Sequence, residues 1–179
     1  MFDYKQFEDE LVTQMESTLE QLLEEYNDIY IFSLDIANDM GSAGIIANTY
    51  SFLEEQASPG DEDYYYFKYC EEEWDIWESG NFNKIKDNMS SYLENNHKNF
   101  SKNSDGTYIY TELFYEHSSK IIESCINALI RFKTSACNGL LLTLNIREFL
   151  EEDERIEIFK KLNSKEAAAE YSEYIDEFA

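Results

Sequence analysis

Basic side chains are scarce in this sequence: 14 Lys and Arg stand against 38 Asp and Glu among 179 residues, a formal net charge of −24. A phosphate backbone is gripped chiefly by Lys and Arg displacing counterions, so direct binding of nucleic acid is excluded as a function class, and an anionic membrane surface would repel the chain for the same reason. Proline occurs once, at Pro59, and glycine six times. No P-loop, dinucleotide-binding turn or G-x-S-x-G elbow is present, and few glycines remain to build one. The three cysteines, Cys70, Cys125 and Cys137, match no C-x-x-C spacing and read as buried free thiols in a reducing compartment. No run reaches the roughly 18 apolar residues of a membrane span. The first ten residues, Met1-Phe-Asp-Tyr-Lys-Gln-Phe-Glu-Asp-Glu, have neither the basic nor the apolar region of a secretory signal. These absences point to a cytoplasmic protein.

What is present suffices for a core: 43% of the residues are hydrophobic, and the length suits one domain. Phe7, Leu11, Met15, Leu19, Leu22 and Tyr26 recur at helical steps, predicting an amphipathic helix over 3–27. Ile29–Ala37 and Ile45–Ala47 read as a hairpin around the Gly41–Gly44 loop, and a short helix carries Phe52 and Leu53 up to the Ser58-Pro59-Gly60 turn. Tyr64–Tyr69 has β character, and Trp74–Trp77 reads as another strand. A helix is expected over 81–96 and a polar loop over Lys98–Gly106. A second long helix, Tyr108–Ala136, is apolar nearly all round and therefore central and buried. Leu140–Ile146 reads as an interior strand because both its faces are apolar. Two terminal helical patterns follow, the second capped by Ser164. The element order α-β-β-α-β-β-α-α-β-α predicts a single acidic α+β domain over 1–179, with a small, mainly antiparallel sheet flanked by helices.

Catalytic and metal readings of individual residues are weak. His97 and His117 lie twenty residues apart with no shared ligand partner, so both read as structural. Asp61-Glu62-Asp63 offers oxygens but lacks the calcium-loop pattern around it, and Asp35 with Asp39 is a carboxylate pair without an accompanying base. No cofactor, metal or catalytic set is therefore expected. One segment differs from the rest: between Glu54 and Glu78 stand ten acids and one base, Lys68, with seven aromatics from Tyr64 to Trp77. Tyr and Trp suit the centre of a protein interface, and carboxylates around them suit a basic partner. The competing reading makes Tyr65, Phe67, Trp74 and Trp77 core and the acids a solvated rim. Alternation along a strand would allow both.

Tyr30-Ile-Phe-Ser-Leu-Asp, Ala47-Asn48-Thr49, Tyr64-Tyr-Tyr-Phe-Lys-Tyr-Cys-Glu-Glu-Glu-Trp74 and Lys160-Lys-Leu-Asn163-Ser together resemble a bacterial family called domain of unknown function four-three-zero-three. The likeness covers nearly the whole chain. Lys68 stands where the family's pattern tends to have an Arg before the Trp stretch. Members of the family resemble the immunity proteins of polymorphic toxin systems, which implies an α+β fold and protein-only binding and carries no functional residues over. The leading expectation is an immunity protein that neutralises a basic toxin domain through Asp61, Glu62, Asp63, Glu71, Glu72, Glu73, Asp75 and Glu78, with Tyr64, Tyr66 and Trp77 as anchors. Alternatives are an acidic nucleic-acid mimic that blocks a DNA-binding protein, and a metal-dependent hydrolase using scattered carboxylates.

Overall fold

The computed structural model describes residues 2–96, 100–102, 104, 108–135, 139–146 and 149–178. His97 and Cys137 lie outside them. A four-stranded mixed sheet is covered by helices on both faces, as expected for an α+β domain. Helix α1 (Tyr4–Glu25) starts at Asp3, whose carboxylate accepts from Gln6 N at 2.9 Å and so satisfies one of the free amides of the first turn. Strands β1 (Ile29–Ile36) and β2 (Ala43–Thr49) form the anticipated hairpin, with a bulge near Tyr30. The bulge places Tyr30 and Ile31 in the same core. From there on, alternation sends Phe32, Leu34 and Ile36 to the opposite side.

Thr49 caps α2 (Tyr50–Gln56) through Phe52 N. The next element overturns an expectation: Tyr64–Tyr69 is a short helix, α3, where β character was predicted. Aromatic β propensity measures fit to a half-buried surface, and here a helix supplies that surface. α3 lies on the C-terminal helix with Tyr66 against Phe178 and Tyr69 against Tyr171 and Tyr174. A 3-10 turn, Glu71–Glu73, leads to β3, which spans only Ile76–Glu78 and leaves Trp74 outside the strand.

After a second 3-10 turn (Gly80–Phe82) comes α4 (Asn83–Asn95). Strands β4 (Phe100–Lys102) and β5 (Tyr108–Tyr110) then pair antiparallel, where a loop and the start of a helix were expected. The long helix α5 accordingly begins at Glu112 and runs to Ser135. It is not central: Ile130 is 42% exposed, and one face is open while the other packs on the sheet beside α1. Arg131 ties the two helices together by donating to Glu8 and Asp9, at 2.7 Å each.

Strand β6 (Leu141–Ile146) joins β1 in parallel, giving the order β3-β2-β1-β6 with the other two pairings antiparallel. β6 is thus a terminal strand, a correction to the interior placement inferred from its two apolar faces. Its outer backbone is partly satisfied by a side chain. Asn163 Oδ1 accepts from Leu142 N at 2.9 Å, and Asn163 Nδ2 donates to Leu142 O at 2.7 Å, so one amide imitates a neighbouring strand. Asn163 follows α6 (Glu152–Leu162), and α7 (Lys165–Phe178) ends the chain's described part. Helices α1, α4 and α5 bury an aliphatic core on one face, and α2, α3 and α7 bury an aromatic one on the other. α6 straddles the β6 edge, sending Ile158 and Leu162 to the first core and Phe159 to the second.

Candidate functional site

The acidic-aromatic segment splits into an inward half and an outward half. At its start, Asp61 closes the Ser58–Asp61 turn by accepting from Ser58 N at 2.7 Å, with Gly60 at a φ of 102° that favours glycine. Glu62 and Asp63 are exposed ahead of α3, where negative charge suits the positive end of a helix. Tyr64 and Tyr66 are half-buried in the aromatic core instead of standing free. The Tyr66 hydroxyl donates to Glu73 Oε1 at 2.9 Å, and that carboxylate is the main reason its pKa is pushed up to about 12. The segment's single base is used internally. Lys68 Nζ meets Glu170 at 2.5 Å, 5.7 Å from the Tyr64 ring centre and 5.1 Å from that of Tyr69.

Glu71 is inside the protein, 6% exposed, with Arg155 Nη2 of α6 at 3.7 Å from its carboxylate. Tyr171, whose hydroxyl also bonds with Arg155, is held above the usual phenol range by burial first and by Glu71 second. Burial does the same to Tyr174, with Cys70 and Glu71 adding to it. Glu71 therefore pins the 3-10 turn to α6 and α7, and Trp74, 3% exposed, anchors the turn's far side. Glu72 is exposed and Glu73 half-buried.

The outward half is the terminal strand β3. Ile76 faces the aliphatic core, while Trp77 is 50% exposed between the exposed Asp75 and Glu78. The indole is oriented by its own turn, since Trp77 Nε1 donates to Trp74 O at 2.9 Å. Gly44 of β2 permits this edge to lie close: a Cβ there would come within 3.1 Å of Glu78 O. Tyr26, at the end of α1, shows which acids gather here. Its phenol is held up by burial, then by Glu25, Asp75 and Glu78, so three carboxylates converge beside one ring. Sequence reading named Asp75, Trp77 and Glu78 but missed Glu25 and Tyr26, because Tyr26 completes the apolar stripe of α1 and reads as core. It also missed Arg155, which lies 84 residues from Glu71 in a helix with no local sign of a buried charge.

Chemically the edge offers acceptors and one large apolar surface. Among the described residues, no three His, Cys, Asp or Glu side chains are placed to hold a metal ion. His117 is 2% exposed, with Tyr4 Oη at 2.8 Å from Nδ1 and rings of Phe2 and Tyr92 around it. Burial depresses its pKa to about 4, making it a neutral structural group. Asp35 accepts from Asn145 at 2.8 Å, and Asp39 caps Gly41 N at 2.8 Å. Cys70 and Cys125 are free thiols, and burial raises the pKa of the second. No helix among the described residues is long and apolar enough to cross a membrane.

No curated protein and no solved structure matches the chain. A family model does, over residues 11–164, and the chain belongs to that family, the domain of unknown function DUF4303.

Proposed function

We propose that this DUF4303 chain is a binding protein that captures a basic partner domain on the acidic edge around Trp77, in the manner of an immunity protein neutralising a toxin in the cytoplasm. The observation that carries the reading is a half-exposed tryptophan on a terminal strand, between the exposed carboxylates of Asp75 and Glu78. Leaving an indole in water forfeits burial energy that a partner would recover, and tryptophan is among the residues most often dominant at interface centres. Carboxylates around it attract a cationic surface over a long range and reject a neutral or anionic one. A toxin domain that acts on nucleic acid needs a basic groove for its substrate, and that groove is the surface this edge complements. Asp61, Glu62, Asp63 and Glu72 extend the acidic field beyond the strand.

The test uses the intact protein and the product of the gene adjacent to its own, with association followed by stopped flow at several salt concentrations. Trp77→Ala should weaken binding by about 2 kcal/mol or more, roughly thirtyfold, while changing folding stability by less than about 1 kcal/mol. Asp75→Lys with Glu78→Lys should slow association and flatten its salt dependence. Unaltered kinetics in both variants would remove the edge from the interface, and capture of a DNA-binding protein instead of a toxin would favour nucleic-acid mimicry.

A further inference from the structure

A cavity of about 880 Å³ lies away from the acidic edge, at the carboxyl end of β1. Its size falls within the roughly 300–1,000 Å³ of small-ligand sites. One wall is a single face of α4: Lys86, Ser90, Leu93 and Glu94 stand at helical spacings of three and four residues that bring them into one stripe. The floor is apolar, made by Tyr110 stacked on Phe114 at 4.0 Å and 15°. The third side is the loop between β1 and β2, which presents Asn38, Asp39 and Ser42.

That loop is held in one shape. Ala37 N donates to Ser42 O at 3.0 Å, Asp39 folds back onto Gly41 N, and Ser90 Oγ donates to Gly41 O at 2.9 Å. Met40, fully buried, adopts a φ of 58°, a left-handed conformation that costs a non-glycine residue roughly 1–3 kcal/mol. Strain of this kind persists where the surroundings impose it, and here it fixes the polar rim of a cavity.

The charges on the wall define the ligand. Lys86 and Glu94 are exposed, make no ion pair among the described residues, and sit eight positions apart. At 1.5 Å per residue that is about 12 Å along the helix, the span of an extended peptide of roughly three residues at 3.3–3.6 Å each. We infer that this cavity binds a short peptide with free termini and an apolar side chain. Its carboxylate meets Lys86, its ammonium meets Glu94, and its side chain rests on Leu93 and Tyr110. A ligand bearing one charge would leave part of this wall without a counterpart.

Calorimetry of the full chain with the tripeptide Ala-Phe-Ala tests the assignment, together with its N-acetylated and C-amidated forms. The free peptide should bind, and blocking either end should weaken binding roughly tenfold, the effect of one charge-assisted hydrogen bond. Amidation should cost nothing further in Lys86→Met, and acetylation nothing further in Glu94→Gln. Both substitutions are on an exposed helix face, so folding is retained. No binding, equal binding of the blocked peptides, or equal sensitivity of the variants to both blocks would overturn the proposal. The toxin-binding reading is unaffected by any of these results, since no residue of the cavity belongs to the Trp77 edge.

Discussion

The two faces of the sheet are built from different materials. Beneath α1, α4 and α5 the core is mostly Leu, Ile, Met and Phe, with the buried Cys125 thiol within it and His117 in the aromatic contacts at its margin. Beneath α2, α3 and α7 it is Tyr30, Tyr69, Trp74, Phe159, Tyr171 and Tyr174, threaded by hydroxyl bonds and the Glu71–Arg155 pair. Aliphatic packing is non-directional and tolerates small shifts, whereas a phenol or a carboxylate in a low dielectric must keep its partner. The first face therefore supplies stability. The second fixes the orientation of the 3-10 turn and, through it, of the strand that carries Trp77.

Removing Phe132, fully buried and stacked 5.2 Å from Phe32, should break the first face most severely. Phe132→Ala is expected to cost about 3–5 kcal/mol in a denaturant titration. On the second face, Glu71→Ala should cost about 3 kcal/mol, because it removes the carboxylate that balances the partly buried Arg155 charge, and adding Arg155→Met should restore part of that loss. Recovery in the double variant separates a polar pin from simple packing, which would lose stability additively.

The faces should also differ in their response to pH. The folded pKa of His117, about 4, lies below its ordinary 6.5, so between those values the unfolded chain binds the extra proton. Stability is then complete above pH 6.5 and falls by up to about 2–3 kcal/mol as pH drops to 4, a slope that His117→Phe should remove. On the other face, burial first and then neighbouring acids and phenols hold Tyr69, Tyr171 and Tyr174 above the ordinary value of 10.0. The unfolded chain deprotonates first, so stability is lost as pH rises past 10. Equal slopes with His117 present or replaced would end the distinction. The smallest expected effect is at the β6 edge: Asn163→Ala should cost about 1–2 kcal/mol and speed hydrogen exchange at the Leu142 amide.

The helix of 3–27, the β1–β2 hairpin and the two terminal helices were legible because their apolar residues repeat with the period of the element they form. α3 was not. Six residues rich in tyrosine have no period to read, and the helix exists because α7 lies across it. The same holds for the edge site: Asp75, Trp77 and Glu78 stand out by composition, but Glu71 beside them is buried by a base 84 residues away.

Net charge, the scarcity of cations and the presence of an acidic-aromatic segment are properties of the chain, fixed by composition before any folding occurs. Which of those acids face water was decided only when α6 and α7 brought Arg155, Tyr171 and Tyr174 against the 3-10 turn. Charge is additive along a sequence, but the cost of burying it depends on partners supplied from distant elements, and that information is tertiary.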